Sequence, residues 1–102
     1  MGQVLLDVDA MRAAAQDAAG LLRTLGNVDR LLLLCQLTEG EFCVSELEER
    51  TGIHQPTLSQ QLGVLRSMAL VETRRQGKNI YYRIADERAL KLLKTIHDLY
   101  CG

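Results

Sequence analysis

A run of short or uncharged polar side chains interrupts a leucine-rich segment in the middle of this 102-residue chain. Leu58, Leu62 and Leu65 recur at the helical spacing i, i+4, i+7, which predicts one buried stripe. The polar side chains around them can donate and accept hydrogen bonds, and a solvated helix face would ordinarily carry Glu and Lys instead. They are His54, Gln55, Thr57, Ser59, Gln60 and Gln61. This composition is suited to contacts with base edges and phosphates of nucleic acid.

Basic side chains follow this polar run. Residues 54–83 carry five basic side chains and one acidic one, a local charge of +4, although the whole chain has a net charge of −1. The basic members are Arg66, Arg74, Arg75, Lys78 and Arg83. Two β-prone runs, residues 70–75 and 79–84, predict a hairpin with a basic tip at residues 76–78. Cations there can reach phosphates or the minor groove, although edge-protecting charges on a solubilised hairpin would produce the same pattern.

Two predicted helices position the polar face. The first covers residues 44–50 and ends at Gly52. The second covers residues 55–66, with Pro56 at its first helical position, where a missing N–H costs nothing. Helix, short turn, helix and basic hairpin, in this order, predict a winged helix-turn-helix that binds double-stranded DNA.

The first and last predicted helices carry more apolar surface than one small domain can cover. The first spans about residues 9–25, and the last runs from the N-cap Asp86 to about residue 100. Their stripes are Met11, Ala15, Ala18, Leu22 and Leu25 in the first helix and Ala89, Leu93, Ile96 and Tyr100 in the last. We therefore expect residues 1–25 and 86–102 to form the interface of a two-fold homodimer, with two DNA-reading helices ~34 Å apart.

A leucine-rich second helix is predicted to occupy the centre of the domain. It begins at the N-cap Asn27 and runs through residues 31–37 before Gly40. Four consecutive leucines cannot all face one side, so we expect this helix to be buried on most of its circumference. With 47% hydrophobic residues, the chain is expected to form a single domain over residues 1–102, mainly α with a β-hairpin wing.

The chain shows no targeting pattern. Its first 25 residues hold no cleavable signal, and no apolar run approaches the roughly 20 residues that a membrane span requires. We expect a cytoplasmic protein whose three cysteines, Cys35, Cys43 and Cys101, begin as thiols. Taken alone, Cys35 fits an ordinary buried small side chain and Cys101 a thiol at a frayed end.

The matching runs, residues 39–47, 55–66, 70–75 and 81–84, resemble the ArsR/SmtB family of bacterial winged-helix repressors, and the resemblance covers nearly the whole chain. It implies a homodimer that binds an operator and releases it when an inducer changes the dimer's shape. In that family the inducer is commonly a metal ion or a thiol-reactive species.

The metal-sensing patterns of the family are incomplete here. Arsenic and cadmium sensors carry Cys-Val-Cys where this chain has Cys-Val-Ser at residues 43–45, and a hydroxyl is a poor ligand for soft ions. Zinc sensors place ligands along the final helix, but here Asp86 is followed by Arg88, which cannot bind a metal, and by a lone His97. We expect neither a metal site nor a cofactor.

The cysteine pair instead looks like that of the persulfide-responsive branch, the SqrR/BigR-like repressors. This resemblance implies that Cys35 in the second helix and Cys101 at the end of the last helix become linked by a disulfide or a longer polysulfide. Cys43 departs from that branch, where a serine is usual. It can cap the next helix together with Glu46, although Ser45 is an equally good cap, and helix N-termini favour reactive thiolates.

Three alternatives stay open. Cys35, Cys43 and Cys101 together could bind a metalloid such as arsenite, a general oxidant could be the inducer, or the winged helix could dock a protein instead of DNA. An enzyme is not expected, because no nucleophile with an oriented base, phosphate loop or pair of carboxylates is present in the sequence.

Overall fold

The computed structural model describes residues 7–102, which form five α-helices and a three-stranded sheet. The predicted fold class, a mainly α winged helix-turn-helix, is confirmed. Residues 1–6, which belong to the predicted domain of residues 1–102 and to its first dimerisation segment, lie outside the described residues. The elements are α1 (Val8–Leu25), α2 (Val28–Leu37), β1 (Phe42–Cys43), α3 (Val44–Thr51), α4 (Thr57–Ser67), β2 (Val71–Gln76), β3 (Asn79–Ile84) and α5 (Glu87–Tyr100).

Side-chain caps begin three of the helices. The carboxylate of Asp7 accepts the N–H of Asp9 at 3.0 Å at the start of α1, and Asn27 accepts the N–H of Arg30 at 3.0 Å at the start of α2. Asp86 accepts two N–H groups at the start of α5, and these bonds, together with a nearby arginine, hold its pKa below its usual value although burial opposes the shift. The predicted caps at Asn27 and Asp86 are therefore confirmed.

Leucines from four helices form the core around α2. Its neighbours in the fold are α1, α3, α4 and α5. The fully buried leucines are Leu33 and Leu34 of α2, Leu47 of α3, Leu58, Leu62 and Leu65 of α4, and Leu93 of α5. The prediction that α2 is buried on most of its circumference is wrong for Leu32, which is 43% exposed. Successive helical residues turn by about 100°, so one of four adjacent leucines must point away from a core that contacts one side.

The wing is a β2–β3 hairpin, as predicted, and the left-handed backbone of Gly77 forms its turn (φ +63°). The sequence prediction missed β1, which pairs antiparallel with β3 through Phe42 opposite Tyr82 and Cys43 opposite Tyr81. The sheet order is therefore β1-β3-β2. Because β1 precedes α3 directly, it joins the start of the helix-turn-helix to the middle of strand β3.

Apolar side chains of α1 and α5 remain uncovered in the single chain. On α1, Val8, Met11 and Leu22 are 66%, 50% and 56% exposed, and on α5, Leu99 and Tyr100 are 74% and 84% exposed. The predicted stripes are thus buried only where α1 ends, at Leu25, and where α5 begins, at Ala89 and Leu93. Within residues 7–102, none of the helices has the length and apolarity that crossing a membrane requires.

Candidate functional site

The turn between α3 and α4 presents α4 at the surface. The chain leaves α3 at Gly52, whose left-handed conformation (φ +73°) suits glycine. Pro56 is the N-cap of α4 and not its first helical residue, so the predicted helix start is wrong by one position. The Gln55 side chain accepts the N–H of Ser59 at 3.0 Å and satisfies one of the free donors at this helix end. Gln55 therefore has a structural partner within the chain.

The outer face of α4 is polar and open. Leu58, Leu62 and Leu65 point into the core, whereas Ser59 and Gln60 are exposed and Thr57 is half-buried. Within the described residues, the side chains of Thr57, Ser59 and Gln60 make no hydrogen bond. Their donors and acceptors are thus available to a ligand that covers this face.

Two other residues of the predicted polar set are held by partners inside the chain. His54 Nδ1 lies 2.9 Å from a carboxylate oxygen of Glu48 on α3; the His54 side chain is 77% exposed and the Glu48 side chain 37% exposed. Gln61 is half-buried, and its Oε1 accepts a hydrogen bond from Arg30 Nη1 at 3.1 Å. Gln61 is directed toward the interior side of α4. The sequence prediction grouped Gln60 with Gln61, but the two side chains lie in different environments.

Two arginines of the wing, Arg74 and Arg83, have carboxylate partners within the chain. Arg74 donates to Glu41 at 2.7 Å and to Gln76 at 2.7 Å, and its guanidinium lies 4.8 Å from the centre of the Tyr81 ring. Arg83 is paired with Glu72. The remaining cations are exposed, and within residues 7–102 none of them has a carboxylate partner: Arg66 on α4 and Arg75 and Lys78 at the hairpin.

The two cysteines of the predicted pair, Cys35 and Cys101, lie on helices that contact each other. Cys35 is half-buried on α2, which contacts α5, and Cys101 is exposed at the C-cap of α5. Burial raises the pKa of the Cys35 thiol above its ordinary value of 9.0, and the like charge of a Cys101 thiolate raises it further. Both thiols are free. The fold therefore combines a half-buried thiol on α2 with an exposed thiol at the end of the neighbouring helix α5.

Cys43 occupies a different place. It is buried in β1, its Sγ lies 3.3 Å from Ser45 Oγ, and its N–H donates to the Glu46 carboxylate at 2.9 Å. Two hydrogen bonds from Cys43 lower the pKa of Glu46, and the bond from the Cys43 backbone has a larger effect than the bond from its side chain. Cys43 is thus the N-cap of α3, and Ser45 lies inside the helix. Among the described residues, no three His, Cys, Asp or Glu side chains are grouped closely enough to hold a metal ion.

Sequence reasoning missed the partners that hold the site. Arg30, Glu41 and Tyr81 received no role from the sequence, yet they contact Gln61 or Arg74. His97, which the zinc-sensor pattern left as a lone histidine, is exposed and lies 3.9 Å from Asp98.

Comparisons with known proteins agree over nearly the full chain. Residues 27–73 match the family described as "Bacterial regulatory protein, arsR family". A biofilm growth-associated repressor of Agrobacterium fabrum is 47% identical over 97 residues, which cover 95% of this chain and 83% of that protein. The crystal structure of the transcriptional repressor BigR from Xylella fastidiosa is 47% identical, with a TM-score of 0.86 and coverage of 95% of this chain and 99% of that one.

A third comparison concerns assembly. The homodimeric winged helix-turn-helix DNA-binding domain Mb0332 from Mycobacterium bovis, solved by NMR, is 34% identical with a TM-score of 0.74. The match covers 96% of this chain and 89% of that one. This chain belongs to the arsR family of bacterial regulatory proteins, which are transcriptional regulators and not enzymes.

Proposed function

We propose that this protein is a homodimeric repressor that binds operator DNA and releases it when persulfide links Cys35 to Cys101. The observation that carries the DNA-binding part is the open, uncharged polar face of α4 over a fully buried leucine stripe. A helix of this kind fits the major groove, where hydrogen-bonding side chains distinguish base pairs. Similarity to BigR, a repressor, and to the homodimeric Mb0332 domain supports the same assignment.

The wing and the uncovered helices complete this arrangement. Arg66, Arg75 and Lys78 are exposed, and we assign them to contacts with phosphates, which set the register of a protein on DNA. The exposed apolar ends of α1 and α5 supply a surface for the second subunit. A two-fold dimer then presents two α4 helices to half-sites one DNA turn apart.

Gln60→Ala tests base reading by α4. We expect this substitution to weaken binding to the specific operator by about 1–3 kcal/mol, because it removes an exposed bidentate hydrogen-bonding group without a change in charge or core packing. Fluorescence anisotropy with the operator and with a random duplex of equal length measures both affinities. Equal losses of affinity on the two duplexes would rule out base reading by Gln60, and binding that does not depend on salt would favour a protein-docking role.

The thiol chemistry begins at the accessible sulfur. The Cys101 thiolate attacks the terminal sulfur of a low-molecular-weight persulfide, RS–SH, which releases RS⁻ and leaves a persulfide on Cys101. The Cys35 thiolate then attacks Sγ of Cys101, the inner sulfur of that persulfide, and expels HS⁻, which forms the Cys35–Cys101 disulfide. In sum, two protein thiols are oxidised, and the persulfide is reduced to one thiol and one hydrogen sulfide. When Cys101 carries a longer chain, Cys101–S–S–SH, attack of Cys35 on the middle sulfur expels HS⁻ and leaves a trisulfide bridge.

The second step should depend on pH. Burial and Cys101 raise the pKa of Cys35, so its thiolate is scarce at neutral pH and increases as pH rises toward that raised value. We expect the rate of bridge closure to increase about tenfold between pH 7 and pH 8, in proportion to the thiolate fraction. Alkylation quenching followed by intact-protein mass spectrometry measures closure separately from persulfidation of Cys101. A closure rate that stays constant over this interval would contradict Cys35 as the attacking thiol.

A further inference from the structure

Arg30 connects three helices through one side chain. It lies in the first turn of α2, where its N–H is capped by Asn27. Its Nε donates to the Thr24 carbonyl at 2.7 Å, and its Nη1 donates to Gln61 Oε1 at 3.1 Å. A longer contact of 3.5 Å joins Nη2 to the Arg23 carbonyl. The guanidinium thus bridges the C-terminal end of α1 and the inner side of α4.

The end of α1 needs such a donor. The last carbonyls of a helix have no intrahelical partner, and they form its negative end. The N–H of Gly26 donates to the Leu22 and Arg23 carbonyls, and Arg30 supplies the donor for Thr24. The Thr24 side chain is buried as well, with its hydroxyl bonded to the Gly20 carbonyl at 3.0 Å. Arg30 therefore holds the end of α1 in place.

The planar guanidinium of Arg30 also orients α4 relative to the end of α1. The group is planar, and its N–H directions are fixed relative to one another, so two partners on different helices are held at a defined mutual orientation. Gln61 lies on the same turn of α4 as Gln60, but it is half-buried and faces Arg30. A change in the direction of α1 is thus coupled to the direction of the DNA-facing side of α4.

We propose that Arg30 and Gln61 are positioning residues, which set the orientation of α4 relative to α1 and thereby the spacing of half-sites that the dimer accepts. This inference rests on the proposed homodimeric, DNA-binding function, because α1 contributes to the dimer surface there. Neither residue contacts DNA in this arrangement. The contact between them selects among operators by geometry and not by base sequence.

The test uses operators whose two half-sites are separated by different numbers of base pairs. We expect the unmodified protein to prefer one spacing by about tenfold or more, since binding of the second half-site depends on geometric match. Arg30→Met removes both bonds at similar length, and it should reduce this preference to about threefold while affinity for a single half-site stays nearly constant. Gln61→Met removes only the bond between Arg30 and α4. Because that bond links α4 to the end of α1, the spacing preference should broaden to a similar extent.

Gln61→Glu and Gln60→Glu form a matched pair. A carboxylate at position 61 still accepts from Arg30, so Gln61→Glu should retain the sharp spacing preference. A carboxylate at position 60 adds negative charge to the exposed side of α4 that is proposed to meet DNA, so Gln60→Glu should weaken binding about tenfold at every spacing. Thermal unfolding by circular dichroism confirms that each variant is folded at the assay temperature.

The outcomes distinguish the positioning role of Arg30 and Gln61 from the proposed DNA-binding function. The positioning role is overturned if Arg30→Met and Gln61→Met keep the sharp preference, or if Gln61→Glu loses as much affinity as Gln60→Glu. The proposed function itself fails if the unmodified protein binds no duplex at any spacing, and the positioning role fails with it. Broadened spacing in both methionine variants, with a sharp preference in Gln61→Glu, supports the proposal.

Discussion

Treatment of the reduced protein with glutathione persulfide is expected to weaken operator binding about a hundredfold, an energy of about 2.7 kcal/mol. Coupling energies of this size are usual for allosteric proteins. We expect Cys35→Ser and Cys101→Ser each to bind the operator in the untreated state and to lose this response. Serine keeps the size of the side chain but cannot form the bridge.

The expected response follows from the position of the two thiols. Cys35 belongs to α2, the helix that contacts α1, α3, α4 and α5, and Cys101 ends α5, whose last turn is exposed. A disulfide requires Cα atoms about 4.4–6.8 Å apart, and a longer sulfur chain accepts a wider separation. Either bridge ties the end of α5 to the core. In the proposed dimer, that constraint changes the surface between subunits and misplaces both α4 helices relative to their half-sites.

Cys43→Ser is the control for this prediction. Cys43 is buried at the start of α3, with its sulfur beside Ser45, so its replacement should leave the persulfide response intact. Operator binding is measured by anisotropy before and after parallel exposure to persulfide, peroxide and arsenite, with mass spectrometry of the products. If Cys43→Ser alone abolishes the response, the thiol pair is misassigned, and the three-thiol metalloid sensor becomes the better hypothesis. A response to peroxide that equals the persulfide response would identify a general oxidant sensor.

The parts of the fold that follow local rules can be predicted from the sequence. The buried stripe of Leu58, Leu62 and Leu65 depends only on helical periodicity, and the cap at Asn27 depends on a contact three residues away. The hairpin turn at Gly77 likewise needs only the left-handed backbone that glycine adopts easily. Each of these features is determined within a short stretch of chain, so composition and spacing are sufficient.

The features that escape prediction depend on partners far along the chain. Strand β1 has only two residues, too few to show an alternating pattern, and it exists because β3 pairs with it. Gln60 and Gln61 have identical side chains, but only Gln61 meets Arg30, 31 residues earlier. Arg74 and Arg75 are equally alike in sequence, although Glu41, 33 residues before Arg74, binds only Arg74. Such distinctions require the tertiary structure.

Replacement of the wing cations Arg75 and Lys78 is expected to have the second large effect, on the affinity for DNA. Arg75 and Lys78 are exposed at the hairpin, and a homodimer presents four such charges to the DNA backbone. Each phosphate that a protein cation neutralises contributes about 0.9 to the slope of log affinity against log salt, so we expect Arg75→Ala with Lys78→Ala to lower this slope by about 3.6. Affinity in 0.1 M salt then falls on the order of a thousandfold for specific and random duplexes alike, because phosphate contacts carry no sequence information.

Arg74 provides the contrast within the same strand. Its guanidinium is bonded to Glu41 and lies over Tyr81, so it offers less positive charge to DNA than its neighbours do. Removing both partners, Arg74→Ala with Glu41→Ala, leaves the net charge unchanged, and the salt slope should change by less than about one. Anisotropy titrations over a tenfold range of salt distinguish the two double variants. If the Arg74 and Glu41 variant loses as much slope as the Arg75 and Lys78 variant, Arg74 must leave its carboxylate and contact phosphate in the complex. If neither slope changes, the hairpin lies away from DNA and α4 alone carries the interface.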